Sequence, residues 1–167
     1  MKKTFLFIVA LCAILFQGFN ANAQDSKIIV GGGLNYSTDL NNLGFAIDGA
    51  YRITDSWEAA GGFAYYLKKD YTNWSMLDFD AHYFFTNVEN VSIYGLAGLN
   101  FTFWKVKLPD NGGIWGDTSF SGSEVGLNIG AGARMPLKDK WSISSEVKFT
   151  AGEFNFLTIS VGVNYAL

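Results

Sequence analysis

From residue 28 onward the chain alternates with a period of two, and within its segments one phase of the alternation carries no charge. Period two belongs to strands, because successive side chains of an extended backbone point to opposite faces. The apolar phase runs Ile28, Val30, Leu34, Tyr36; Leu43, Phe45, Ile47, Tyr51, Ile53; Trp57, Phe63, Tyr65, Leu67; and Leu77, Phe79, Tyr83, Phe85. It continues through Val91, Ile93, Leu99, Phe101, Phe103; Val125, Leu127, Ile129, Met135; Trp141, Ile143, Val147, Phe149; and Leu157, Ile159, Val161, Val163, Tyr165, Leu167. Gly, Ala and Ser fill the places between. A face that excludes charge this thoroughly lies against either a protein core or hydrocarbon.

The opposite phase decides between them. It holds Asn35; Asp48 and Arg52; Glu58 and Tyr66; Asp78, Asp80 and His82; Tyr94, Asn100 and Thr102; Glu124, Asn128 and Arg134; Glu146 and Lys148; Thr158, Ser160 and Asn164, interleaved with Gly, Ala and Ser. A soluble sandwich would cover its wet face with Lys, Glu and Thr. Small residues among a few charges of both signs suit the crowded interior of a narrow closed barrel instead. In hydrocarbon every backbone N–H and C=O needs an internal partner, so a strand-built chain must close on itself. The segments number eight, and a tilted spanning strand needs about 9–11 residues. The expected fold is all-β: an eight-stranded antiparallel up-and-down transmembrane β-barrel.

An even strand count puts both termini on one side, the periplasm. Short turns are expected there at Thr54–Ser56, Thr86–Asn90 and Pro136–Lys140, and outer connections at Ser37–Asn42, Lys68–Trp74, roughly 104–123, and Gly152–Phe156. Aromatic girdles are expected from Tyr51, Trp57, Tyr83, Phe85, Trp141 and Tyr165 at the inner level, and from Tyr36, Phe45, Tyr65, Phe101 and Phe149 at the outer.

The first 23 residues read as a cleaved signal peptide: Lys2 and Lys3, the apolar stretch Thr4–Phe16, and the Ala21-Asn22-Ala23 site before Gln24. The barrel domain is then 24–167. Cys12, the one cysteine, lies inside the leader, so the exported chain has no disulfide and no thiol chemistry. The formal net charge of −3 becomes more negative once Lys2 and Lys3 are removed, which excludes nucleic acid as a partner, since phosphate neutralisation needs clustered cations.

The last eight residues, Ser160 to Leu167, run polar, any, glycine, two of any kind, aromatic, any, apolar, with Ser160, Gly162, Tyr165 and Leu167 in the defining places. That ending resembles the assembly signal of outer-membrane proteins, with Leu167 where the family usually carries Phe. With the alternating segments, the chain resembles the small eight-stranded outer-membrane β-barrels, the group of the OmpA transmembrane domain and OmpX. The resemblance implies residence in the outer membrane of a Gram-negative bacterium, among its lipid and lipopolysaccharide, and recognition by the barrel-assembly machinery. An OmpA-like wall-anchoring role is not carried over, because no peptidoglycan-binding segment follows Leu167.

Charges inside such a barrel need partners, because breaking a buried pair costs about 3–5 kcal/mol. Arg52 and Glu58 flank their turn symmetrically, which predicts an ion pair. Arg134 and Lys148 are expected to balance Glu124 and Glu146, with Asp48, Asp78, Asp80 and His82 completing a polar network that fills the lumen. Asp78, Asp80 and His82 share a face, but at about 6.6–6.8 Å per step they cannot all reach one ion. The single histidine sits in the lumen toward the periplasmic end, wrong for lipid chemistry at the outer leaflet, and no G-x-S-x-G elbow, P-loop or dinucleotide fingerprint occurs. No catalytic, cofactor or metal site is read. In the outer connection 104–123, Pro109, Trp115 and Phe120 either fold onto the barrel mouth or contact an extracellular partner. Lys68 and Lys69 reach toward lipopolysaccharide phosphates or, the better reading, snorkel. The expected function is a non-enzymatic structural or surface-interaction barrel. The alternatives are a small-solute channel and, behind it, a lipid-modifying enzyme.

Overall fold

The alternating segments form eight antiparallel strands: β1 (Ile28–Ser37), β2 (Asn42–Arg52), β3 (Trp57–Tyr66), β4 (Thr72–Val88), β5 (Val91–Lys107), β6 (Ser119–Pro136), β7 (Trp141–Ala151) and β8 (Phe156–Ala166). The computed structural model describes residues 27–88, 90–108 and 119–167. Each strand pairs with its neighbours in chain order, and β8 pairs with β1 to close the barrel. Closure leaves no sheet edge in the barrel wall, which is what a strand-built chain requires in hydrocarbon. The leader and the central part of the long outer connection, including Pro109 and Trp115, lie outside the described residues.

The apolar phase faces outward. Ile47 is 67% exposed, Ile129 64% and Phe45 59%, and together with Leu34, Phe79, Leu127, Val161 and their neighbours they form a continuous band round the barrel. A monomer in water rarely shows so extended an apolar surface; hydrocarbon covers it. At the level of the termini the band ends on aromatic pairs: Trp57 on Tyr83 (4.8 Å between ring centroids), Tyr83 on Phe85 (5.3 Å) and Trp141 on Tyr165 (4.9 Å).

One expectation of length needs correction. β4 and β5 each span 17 residues and β6 spans 18, well beyond a bilayer crossing of about 9–11. The ladder continues through Trp104↔Gly122, Lys105↔Ser121 and Lys107↔Ser119, so much of the outer connection read over 104–123 is strand. The two-residue period persists there, but Lys and Ser replace the apolar residues as the sheet leaves the membrane. Without its greasy phase the pattern reads as loop. Phe120 lies on this extension, opposite Val106 and exposed.

Two local features shape the wall. A Cβ on Gly98 would lie 2.1 Å from the Phe79 carbonyl oxygen and 2.3 Å from Asp80 Oδ1, so only glycine lets β5 pass there. The β3–β4 hairpin closes through Asp70 (φ 48°) and Tyr71 (φ 63°), with Lys69 and Thr72 exchanging backbone hydrogen bonds of 3.1 and 2.8 Å. Two successive left-handed residues make the turn that suits strand twist. A tyrosine in that conformation carries strain that Gly or Asn would avoid.

Candidate functional site

The inward phase places Glu58, His82 and Arg134, and farther along Asp78, Asp80 and Lys148, inside the barrel in two clusters. Toward the end that carries the termini, Arg134 of β6 reaches across to Glu58 of β3. Its Nη1 donates to Oε2 at 2.8 Å and its Nη2 to Oε1 at 2.9 Å. Glu58 is 1% exposed, and His82 Nδ1 lies 3.3 Å from its Oε1. A forked guanidinium–carboxylate pair is among the strongest polar contacts a protein makes. Aromatic rings enclose it: the guanidinium carbon lies 5.5 Å from the Phe84 ring centroid and 5.7 Å from that of Tyr94, while His82 stacks on Tyr94 at 4.8 Å. The Tyr94 hydroxyl donates to Glu146 at 2.6 Å, tying β5 to β7.

Farther along the axis, Lys148 Nζ donates to Asp78 (2.7 Å) and Asp80 (3.2 Å). Asn128 donates to both carboxylates at 2.9 Å, and Asn100 donates to Asp78 at 2.7 Å. Thr102 and Thr150 donate in turn to the carbonyl oxygens of Asn100 and Asn128 at 2.6 and 2.7 Å. Four adjacent strands are joined through one lysine and two aspartates. Sharing of this kind offsets the cost of burying the ions.

Beyond these clusters, at the end of the lumen away from the termini, an apolar cluster fills the interior. Ala64, Tyr66, Met76 and Phe156 pack together, with Leu40, Ala46 and Trp74 against them. On the β1–β3 and β8 side, where Gly33, Ala46, Ala60, Gly62, Ala64 and Gly162 leave space, a cavity of about 90 Å³ remains, bordered by Asp48 and Glu146.

Several expected pairings are corrected. Arg52 and Glu58 do stand opposite each other in the ladder, but Glu58 bonds Arg134 and His82 instead. Arg52 ends β2 exposed at the rim, whereas Arg134 stands on β6, across the lumen from Glu58, with its guanidinium on the carboxylate. Lys148 goes to Asp78 and Asp80, and Glu146 takes the tyrosine hydroxyl. Glu124 stands toward the rim opposite the termini and accepts the Phe154 backbone N–H at 3.1 Å. Asp78 and Asp80 belong to one cluster and His82 to the other, so the three do not converge. Tyr94, Asn100 and Asn128, which the sequence places on the inward phase without assigning them a role, are the neutral residues that connect the charges.

At the closing seam, Ser160 and Gly162 face the lumen opposite Asn35 and Gly33, Tyr165 packs on Trp141, and the Leu167 N–H donates to the Ile28 carbonyl at 2.9 Å.

Known structures share this architecture. The N-terminal β-barrel domain of Pseudomonas aeruginosa OprF matches with a TM-score of 0.64 at 18% identity, over 83% of this chain and 95% of that one. Neisserial surface protein A matches with a TM-score of 0.62 at 17% identity, over 84% and 96%. Ail, the attachment invasion locus protein of Yersinia pestis, matches with a TM-score of 0.59 at 22% identity, over 83% and 95%. At these identities the likeness shows the fold. Comparison with curated protein sequences finds no match. The family model described as "Outer membrane protein beta-barrel domain" matches residues 7–166, nearly the whole sequence, and the chain belongs to that outer-membrane β-barrel family.

Proposed function

We propose that this outer-membrane protein is a non-enzymatic barrel with a structural or surface-contact role, whose lumen is closed by side chains. It is oriented with its termini toward the periplasm and the β4–β6 extension outward. The carrying observation is the forked Arg134–Glu58 pair across the lumen, backed by the Lys148–Asp78–Asp80 cluster and the apolar outer packing. The remaining cavity of about 90 Å³ is small beside the ~300–1,000 Å³ typical of ligand pockets. His82 is held by Glu58 and stacked on Tyr94, a constrained position deep in the barrel that suits a packing role better than catalysis. Residues 1–23 serve as the export signal, and Ser160, Gly162, Tyr165 and Leu167 as the mark read by the assembly machinery. Any extracellular partner would meet the extension, including Phe120.

Planar-bilayer recording tests the closed lumen. The folded barrel, and its Arg52→Ala variant, are expected to show baseline current. Discrete conductance steps from the folded barrel would favour the alternative, a small-solute channel.

A further inference from the structure

We infer that the lumen binds a monovalent cation of ammonium size, held between Asp48 of β2 and Asn164 of β8 over Gly31 of β1. The site is internal to the barrel and is the same whichever end faces the periplasm.

Charge inside the barrel is out of balance. Between its rims the lumen carries the carboxylates of Asp48, Glu58, Asp78, Asp80 and Glu146 against the cations Arg134 and Lys148, and a charged His82 would still leave an excess of negative charge. Four of the carboxylates have donors. Glu58 holds the Arg134 fork, Asp78 and Asp80 share Lys148 and the asparagine amide, and Glu146 takes the Tyr94 hydroxyl. Asp48, among the described residues, makes neither an ion pair nor a hydrogen bond. A carboxylate left alone in an interior ringed by hydrocarbon is costly, and a counter-charge from outside the chain removes the cost.

The local geometry points to where that counter-charge sits. Strand register sets Gly31 between Asp48 and Asn164, and with no side chain on the middle strand the flanking two lean over it. A Cβ on Gly31 would lie 2.2 Å from Asn164 Oδ1 and 2.4 Å from Asp48 Oδ2. Both oxygens are acceptors. Asn164 is 2% exposed and commits its Nδ2 to Ser144 Oγ at 2.9 Å, so its Oδ1, which has no hydrogen-bond donor, is the atom turned toward Asp48. The two oxygens are no farther apart than two acceptors of one ammonium group, whose tetrahedral N–H bonds reach about 2.7–3.2 Å. The cavity of about 90 Å³ adjoins them, bordered also by Glu146, whose Oε2 makes no hydrogen bond. At about 30 Å³ per water, it takes a small ion with a water or two and no larger organic molecule. Two carboxylates and an amide oxygen fall short of the six to eight oxygens calcium takes, and among the described residues no group of three His, Cys, Asp or Glu could hold a metal ion. A monovalent ion fits what remains. Asp48 is exposed to solvent, which gives the ion a way in.

The test is reversible urea unfolding of the barrel in phosphatidylcholine vesicles at constant ionic strength, with potassium or ammonium chloride exchanged for N-methylglucamine chloride, whose cation is too bulky for the cavity. Raising potassium from about 1 mM to about 100 mM should raise the folding equilibrium constant about tenfold. Asp48→Asn should lose that dependence and, because its amide can donate to Asn164 Oδ1, should be at least as stable as the wild type in N-methylglucamine. Asp55→Asn, in the β2–β3 turn, should keep the full dependence. Wild-type crystals soaked in a thallium salt should show an anomalous peak between Asp48 and Asn164, a readout that stands even if a variant fails to fold. Wild-type stability indifferent to the exchange, an unchanged dependence in Asp48→Asn, or no thallium peak over Gly31 would overturn the inference. So would a barrel that gains stability from acid but not from potassium or ammonium, since a proton shared by the two oxygens would then take the place of the ion.

Discussion

Replacing Glu58 by alanine should destabilise the barrel by about 3–5 kcal/mol, the largest loss expected from any single inward substitution. The change removes both acceptors of the Arg134 fork and the carboxylate beside His82. Arg134 would then sit between Phe84 and Tyr94 with no counter-ion on its forked end, and its Nε is already without a hydrogen-bond partner. Glu58→Gln keeps one acceptor and the shape, and should cost less. Removing both charges, as Glu58→Gln with Arg134→Met, should recover part of the loss, because the uncompensated ion accounts for most of it. Urea titration of the folded band on cold gels measures all three. A Glu58→Ala barrel as stable as the wild type would mean that Arg134 finds another partner or leaves the lumen.

The Arg134–Glu58 pair also marks the limit of what the residues disclose before folding. The alternation identifies Arg134, Glu58 and His82 as inward, and the symmetric turn at 53–57 correctly sets Arg52 opposite Glu58. Ladder neighbours, however, are only the partners along the wall. An inward side chain also meets whatever closure brings across the lumen, and that depends on the tilt and stagger of all eight strands, which no local pattern encodes. Closure likewise decides the partners of Lys148, which crosses to Asp78 and Asp80 on β4 rather than settling beside Glu146 on its own strand. The outer extension escaped for a different reason. Ser119, Ser121 and Ser123 keep the two-residue period but not its contrast of apolar and polar, and the contrast was the legible part. The termini-side aromatic pairs and the closing seam, where contrast is strong, stand where the alternation put them.

Arginine at Ile47 or Ile129 should cost about 2–4 kcal/mol, although either side chain would be more than half exposed on an isolated barrel. In water an exposed Ile→Arg change is close to neutral. In the bilayer the guanidinium must drag water inward or snorkel along its stem, and the penalty is greatest at the midplane. The same substitution at Ser121, beyond the apolar rows, should change stability by no more than about 1 kcal/mol. Refolding equilibria in lipid vesicles report the difference directly. Equal small effects at Ile47 and Ser121 would place both in water.

The outward phase facing hydrocarbon is the claim on which the rest depends, and collision accessibility of spin labels tests it most directly. Single cysteines at Ile47, Phe79 and Val161, labelled in the vesicle-embedded protein, should collide readily with oxygen and hardly at all with a water-soluble nickel chelate. A label at Asp55, in the β2–β3 turn, should show the reverse. Free access of the nickel chelate to Ile47, Phe79 and Val161, in protein that remains folded and monodisperse without detergent or lipid, would contradict the account.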